Sequence, residues 1–117
     1  HVERAMTATL RDAAAGGCRI AAYLAGHDHD LQAWPPGCEA PGAVGTVVSG
    51  VAARGFRAAG PTHLEPCPAT GARGSYHAGL PGGGFGVVRV GLDASVEARL
   101  YHVPVPGEHT LLSTLRW

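Results

Sequence analysis

No apolar run in this sequence is long enough to cross a bilayer, which excludes a membrane-spanning helix. Net charge is also missing. Nine basic and nine acidic residues cancel and the pI is about 7.2, so the bulk balance gives no electrostatic case for nucleic acid or an anionic membrane surface. Cysteine is scarce: Cys18, Cys38 and Cys67 are an odd number without CxxC spacing, which argues against a zinc knuckle. Their simplest use is one Cys38–Cys67 disulfide and one thiol, and the redox compartment stays open. No basic segment followed by an apolar stretch opens the chain, and starting on His1 rather than Met it reads as a processed product or a fragment. The glycine run at 82–84 lacks the Lys-Ser/Thr of a phosphate loop, and Ser49 lies outside any GxSxG elbow.

What is present suits a single domain. A chain of 117 residues with 45% hydrophobic side chains can bury one core but not two. Its 18 glycines and nine prolines partly reflect a bias toward small residues. Val2, Ala5, Met6, Leu10, Ala13 and Ala14 recur at helical spacing, and Gly16-Gly17 stop the pattern, which predicts a helix over 2–15. Residues 20–25, IAAYLA, are a short continuous apolar run, the pattern of a strand buried on both faces. Residues 44–50, VGTVVSG, read as a further short strand after the turn-rich WPPGCEAPG. Residues 51–83 form a Gly/Pro-rich loop without sustained periodicity. Three strands then follow, 85–92, 95–103 and 109–117, joined near Asp93-Ala94 and at 104–107. In the middle one Val96, Ala98 and Leu100 alternate with Glu97, Arg99 and Tyr101, as in an antiparallel meander with one buried face. The chain thus divides into a helix–strand–GHDH–strand unit over 1–50, the loop over 51–83 and a three-stranded meander over 84–117.

Between the first two strands lies AYLAGHDHDLQ, residues 22–32. Four metal-capable side chains, His27, Asp28, His29 and Asp30, follow an apolar strand at its carboxyl end, where ligands bind in open α/β sheets. Gly26 permits a sharp turn before them. In an extended segment His27 and His29 project to one side, Asp28 to the other, and Asp30 is placed to orient a histidine or line a substrate rim. Neutral imidazoles suit Zn, Fe, Mn or Cu. A polar turn rich in His and Asp is the plainer alternative, because two protein ligands are too few for a closed site.

The Gly-His-x-His block behind an apolar strand, here YLAGHDHDLQ, resembles the last metal-ligand motif of the calcineurin-like metallophosphoesterases, most closely the purple, tartrate-resistant acid phosphatase type. The preceding helix, VVSG at 47–50, GGFGVVRV at 83–90 and the closing GEHTLLSTLRW are similar in order and spacing to that group's C-terminal half, so the resemblance covers essentially the whole chain. It implies an α/β fold, the C-terminal half of the αββα sandwich of a metallophosphoesterase. It also implies a phosphoric monoester hydrolase in which a metal-bound hydroxide attacks phosphorus at a dinuclear centre, Fe paired with Fe, Zn or Mn. His27 would ligate the divalent metal and His29 the other. His1, 26 positions before His27, would protonate the leaving group. Relatives are often secreted or lysosomal, or vacuolar.

The departures are equally clear. The family's earlier ligand motifs, of the Asp-x-His, Gly-Asp-x-x-Asp and Gly-Asn-His-Asp/Glu types, do not occur here. The chain alone is therefore expected to be inactive and to need the missing N-terminal half of the same domain as its partner. Two readings from other classes stand beside this one. An N-terminal His1 with His27 or His29 imitates the copper site of oxidative polysaccharide-cleaving enzymes. Alternatively, the chain is a non-catalytic β-rich binding or interaction module, or part of a pseudoenzyme that has lost the upstream ligands. His63, His77, Tyr76 and Phe56 read as loop residues, His102 and His109 as exposed polar positions, and Trp34 as packing beneath the GHDHD block.

Overall fold

The structure, a computed structural model, describes residues 2–38, 44–52, 55–57 and 73–117, with the backbone alone for 2–4. Expectations for His1, His63 and Cys67 lie outside the described residues.

Helix α1 spans Val2–Ala15. It stops where the sequence predicts, because Gly17 takes a left-handed φ of 87°. The Gly17 amide then donates to the Ala14 carbonyl and the Cys18 amide to the Ala13 carbonyl, both at 3.0 Å. These two bonds satisfy carbonyls the last turn would leave open. The stripe of Met6, Leu10 and Ala13 is only half-buried. No strand packs substantially on the helix among the described residues.

Among the described residues seven strands make two sheets. The first sheet has the order β1-β3-β2-β4, from β1 (Tyr23–Ala25), β2 (Leu31–Trp34), β3 (Thr46–Ser49) and β4 (Ser75–His77). β1 runs parallel to β3, and the other pairs are antiparallel. The second sheet is the meander β5 (Gly83–Val90), β6 (Val96–Val103) and β7 (Thr110–Arg116). The chain is therefore mixed α/β and sheet-rich, with one helix and two sheets among the described residues.

The sheets meet face to face. Leu31 and Ala33 of β2, Val47 of β3, Val51, and Ala98 and Leu100 of β6 form the core, with Phe56, Val88, Leu112, Leu115 and Trp117 packed around it. The alternation in β6 puts its small and aliphatic side chains inward, as expected. A bulge opposite Leu100/Tyr101 gives β7 one extra residue. Leu112 therefore joins the core while Ser113 also faces the first sheet, where it reaches Ser75.

Three expectations need correction. The IAAYLA run is not a strand buried on both faces. Only Tyr23–Ala25 is extended, it lies at the end of its sheet, and Leu24 is 62% exposed. An edge position and a helix that stands apart leave it uncovered. The 31–34 segment, read as part of the motif and the turn after it, is a central strand. The 51–83 loop contains β4. Its described residues Phe56 and Arg57 also pack on the core and the site. Cys38 is disulfide-bonded and Cys18 is a free, exposed thiol.

Leu100 is fully buried and Leu24 is not, so truncating them separates the two environments. Leu100→Ala should lose about 2–5 kcal/mol in urea unfolding, whereas Leu24→Ala should stay within about 0.5 kcal/mol. Comparable losses would mean that β1 is covered in solution.

Candidate functional site

Because β1 and β3 are parallel, their carboxyl ends open on the same edge of the first sheet. The GHDHD turn leaves one and Gly50 leaves the other. The main chain at Asp28 crosses so close to Gly50 that any Cβ there would collide with the Asp28 carbonyl oxygen. The Gly50 amide donates to the Asp30 carbonyl at 3.3 Å, and the Arg57 amide to the His29 carbonyl at 2.7 Å. The turn is thus tied to two other segments by its own backbone.

Inside this frame His27 holds a left-handed φ of 80°. For a residue with a Cβ that conformation costs about 1–2 kcal/mol. The sharp change of direction falls on the histidine itself and not on Gly26. Residues 27–30 are a series of bends, so the same-side argument for His27 and His29, which needs an extended segment, does not apply. His27 and Asp28 are exposed and His29 is half-buried. Among the described residues no group of three or more His, Cys, Asp or Glu side chains is gathered to hold a metal ion. Among the described residues no third such side chain joins His27 and His29.

Asp30 is the best-fixed member of the cluster. It is fully buried. Its Oδ1 accepts from Gln32 Nε2 at 2.9 Å, and Gln32 Oε1 in turn accepts from Trp34 Nε1 at 2.8 Å. These three residues alternate along β2 and share the face opposite Leu31 and Ala33. Oδ2 faces Arg57 Nη2 at 2.7 Å, an ion pair without the alignment of a hydrogen bond. Arg57 also donates to the Tyr76 hydroxyl from Nη2 at 2.9 Å and from Nε at 3.2 Å. The Tyr76 hydroxyl and then Asp30 push the guanidinium above its ordinary range. Asp30 was expected beside a histidine or a substrate. Instead both its oxygens are engaged by Gln32 and Arg57, and it braces the turn from below.

A second polar cluster lies between the sheets. Ser75 Oγ is 2.9 Å from His77 Nε2 and donates to Ser113 Oγ at 2.8 Å, and His77 Nε2 is 3.3 Å from Ser113 Oγ. Burial lowers the His77 pKa below the ordinary 6.5. Ser75 is 92% removed from solvent, 8% exposed, so this serine–histidine contact is an inter-sheet bridge and not a nucleophile at a cleft. His102 Nε2 donates to the Pro81 carbonyl oxygen at 2.6 Å. The oxygen being a carbonyl, the ring nitrogen there carries the proton.

Arg57 was not among the residues singled out from the sequence, and Tyr76 was weighed only as a loop residue. The Asp-x-Gln-x-Trp alternation at 30–34 was the available signal that a polar row lines one face of a strand. Comparison of the chain with family models, curated proteins and solved structures finds no match.

Removing Arg57 leaves a buried carboxylate without its cation, a costly state. Arg57→Ala should lower the unfolding midpoint, and adding Asp30→Asn should recover part of the loss. Strict additivity in this double-mutant cycle would show that the pair does not interact. For His77 the folded pKa is depressed, so its contribution to stability is present above about pH 6.5 and is lost as pH falls through the folded value. The urea midpoint should decline from pH ~7.5 toward pH ~5, and His77→Gln should flatten that decline.

Proposed function

We propose that this chain is the C-terminal half of a calcineurin-like metallophosphoesterase domain of the purple acid phosphatase type. The complete protein would hydrolyse phosphate monoesters. The observation that carries the reading is the placement of GHDHDLQ: it leaves the carboxyl end of a strand in a parallel pair, with His27 exposed, His29 half-buried and its last aspartate locked below. The resemblance of the motif gives the roles. His27 and His29 each supply a ligand to one of two metals, Fe with Fe, Zn or Mn. His1 protonates the leaving group. Such a centre, when bound, supplies the activated nucleophile and neutralises phosphoryl charge. This chain's own part is to present two imidazoles on a braced turn.

Two features support the half-domain reading. Two sheets pack face to face behind a leading helix, as in one half of an αββα sandwich. The β1 edge and the α1 stripe are left uncovered among the described residues, where further strands of the same domain would pack. On this reading the isolated chain is inactive, and secretion or lysosomal targeting of the parent follows the family. A second reading, a β-rich binding module, is favoured by the exposed aromatic and arginine side chains on the outer face of the second sheet.

Extending the reading frame upstream of His1 and assaying the longer protein tests the first reading. The expected outcome is upstream Asp, Asn and His ligands, about two metal equivalents, and phosphatase activity that disappears in His27→Ala and His29→Ala. A longer protein with neither bound metal nor the upstream ligands would leave GHDHD as a structural turn.

A further inference from the structure

The meander β5-β6-β7 turns one face to the core and the other to solvent. Its outward positions form three cross-strand rows. The first is Arg89, Glu97 and Arg116; the second Val87, Arg99 and Thr114; the third Phe85, Tyr101 and Leu111. Four residues along a strand separate the first row from the third, about 14 Å.

The third row is an aromatic platform. Phe85 and Tyr101 lie with ring centroids 4.9 Å apart and planes 15° from parallel. His109 stands edge-on to Tyr101 at 5.8 Å. Phe85 is 38% exposed and Leu111 50%. Large side chains held this open to water on a rigid sheet do not serve the core, which lies on the other face.

The other two rows are cationic. Three of the chain's nine basic residues are here, all nine being arginine. They face one outward carboxylate, Glu97, which takes Arg99 Nε at 2.8 Å and Arg116 Nη2 at 2.7 Å. Arg89 has no ion-pair partner among the described residues. At this end a hollow of about 480 Å³ is lined by Arg89, Ser95, Glu97 and Arg116 among others. The zero net charge of the whole chain is thus a sum over uneven surfaces, and this face carries an excess of two positive charges before any histidine is counted.

We infer that this face binds a single-stranded nucleic acid, with phosphates on Arg89, Arg99 and Arg116 and a base against the Phe85–Tyr101–His109 platform. Guanidinium groups match phosphate geometry and are weakly hydrated, and bases stack on exposed rings without regard to sequence. An acidic peptide uses the arginines but gains nothing from the rings. A second copy of the chain would bring the same arginine rows into contact with an apolar surface that must desolvate them. The inference rests on the binding-module reading, because the outer helical layer of a complete αββα sandwich would cover this face of the second sheet.

The test is fluorescence anisotropy of the 117-residue chain with labelled single-stranded DNA and RNA of about 12 nucleotides. Saturable binding is expected, with a log–log salt slope of about −2 for three phosphate contacts. Phe85→Ala should weaken it roughly 5- to 100-fold through lost stacking. Arg89→Gln, which breaks no ion pair among the described residues and places no like charge opposite Glu97, should weaken it and flatten the salt slope by about 1. Arg89→Gln should keep the parent's urea midpoint, Phe85→Ala should unfold cooperatively at a somewhat lower one through its lost stacking on Tyr101, and His27→Ala should bind as the parent does. Absence of saturable binding at low salt overturns the inference. So does binding unchanged in both variants, equal competition by a poly-glutamate peptide, or a dimer in sedimentation that Phe85→Ala dissolves.

Discussion

Leu31 is the point on which both halves of the molecule converge. It pairs with Ser49 of β3 and His77 of β4, and its side chain lies fully buried against Gly84 of the second sheet. It is also the first residue after GHDHD. The strand period of two then fixes everything around it. With Leu31 and Ala33 committed to the core, Asp30, Gln32 and Trp34 must share the opposite face, where the buried Asp30 needs donors and a countercharge. Arg57 meets that requirement and, through its own amide, holds His29. The apolar contact between the sheets and the shape of the histidine turn are therefore one constraint viewed from two sides of a strand.

The energetic consequence is an uneven molecule. The inter-sheet core and its Ser75–His77–Ser113 bridge hold β2, β3 and the meander together, while α1 and β1 contribute little burial. His27 carries backbone strain that the rest of the turn must offset, through Gly50 and Arg57.

Much of the fold was readable from the chain, and the misses share a cause. The helix ended at Gly16-Gly17 because a left-handed glycine cap is a local event. The meander was readable because six consecutive residues of β6, 96–101, alternate. Strands β2 and β4, of four and three residues, are too short to show a period, and their pairing partners are distant in sequence. The IAAYLA run misled because apolar content reports the burial a segment seeks, not whether a neighbour covers it. At the site, the location of His27 and His29 at a strand end was legible. Arg57 was not, because nothing local in GFR ties it to an aspartate 27 positions earlier.

The edge strand β1 has a consequence for how the chain behaves in company. Its outer row of amides and carbonyls has no strand beside it among the described residues, and Leu24 projects from it into water. Such an edge is a template on which another strand can be laid. At three residues it offers few rungs for a ladder, so a short extended segment from elsewhere would be gripped weakly unless side-chain burial assisted. Leu24 is the side chain placed to give that assistance. A charge in place of Leu24 would make that edge a poorer template, as gatekeeper residues do on exposed strands.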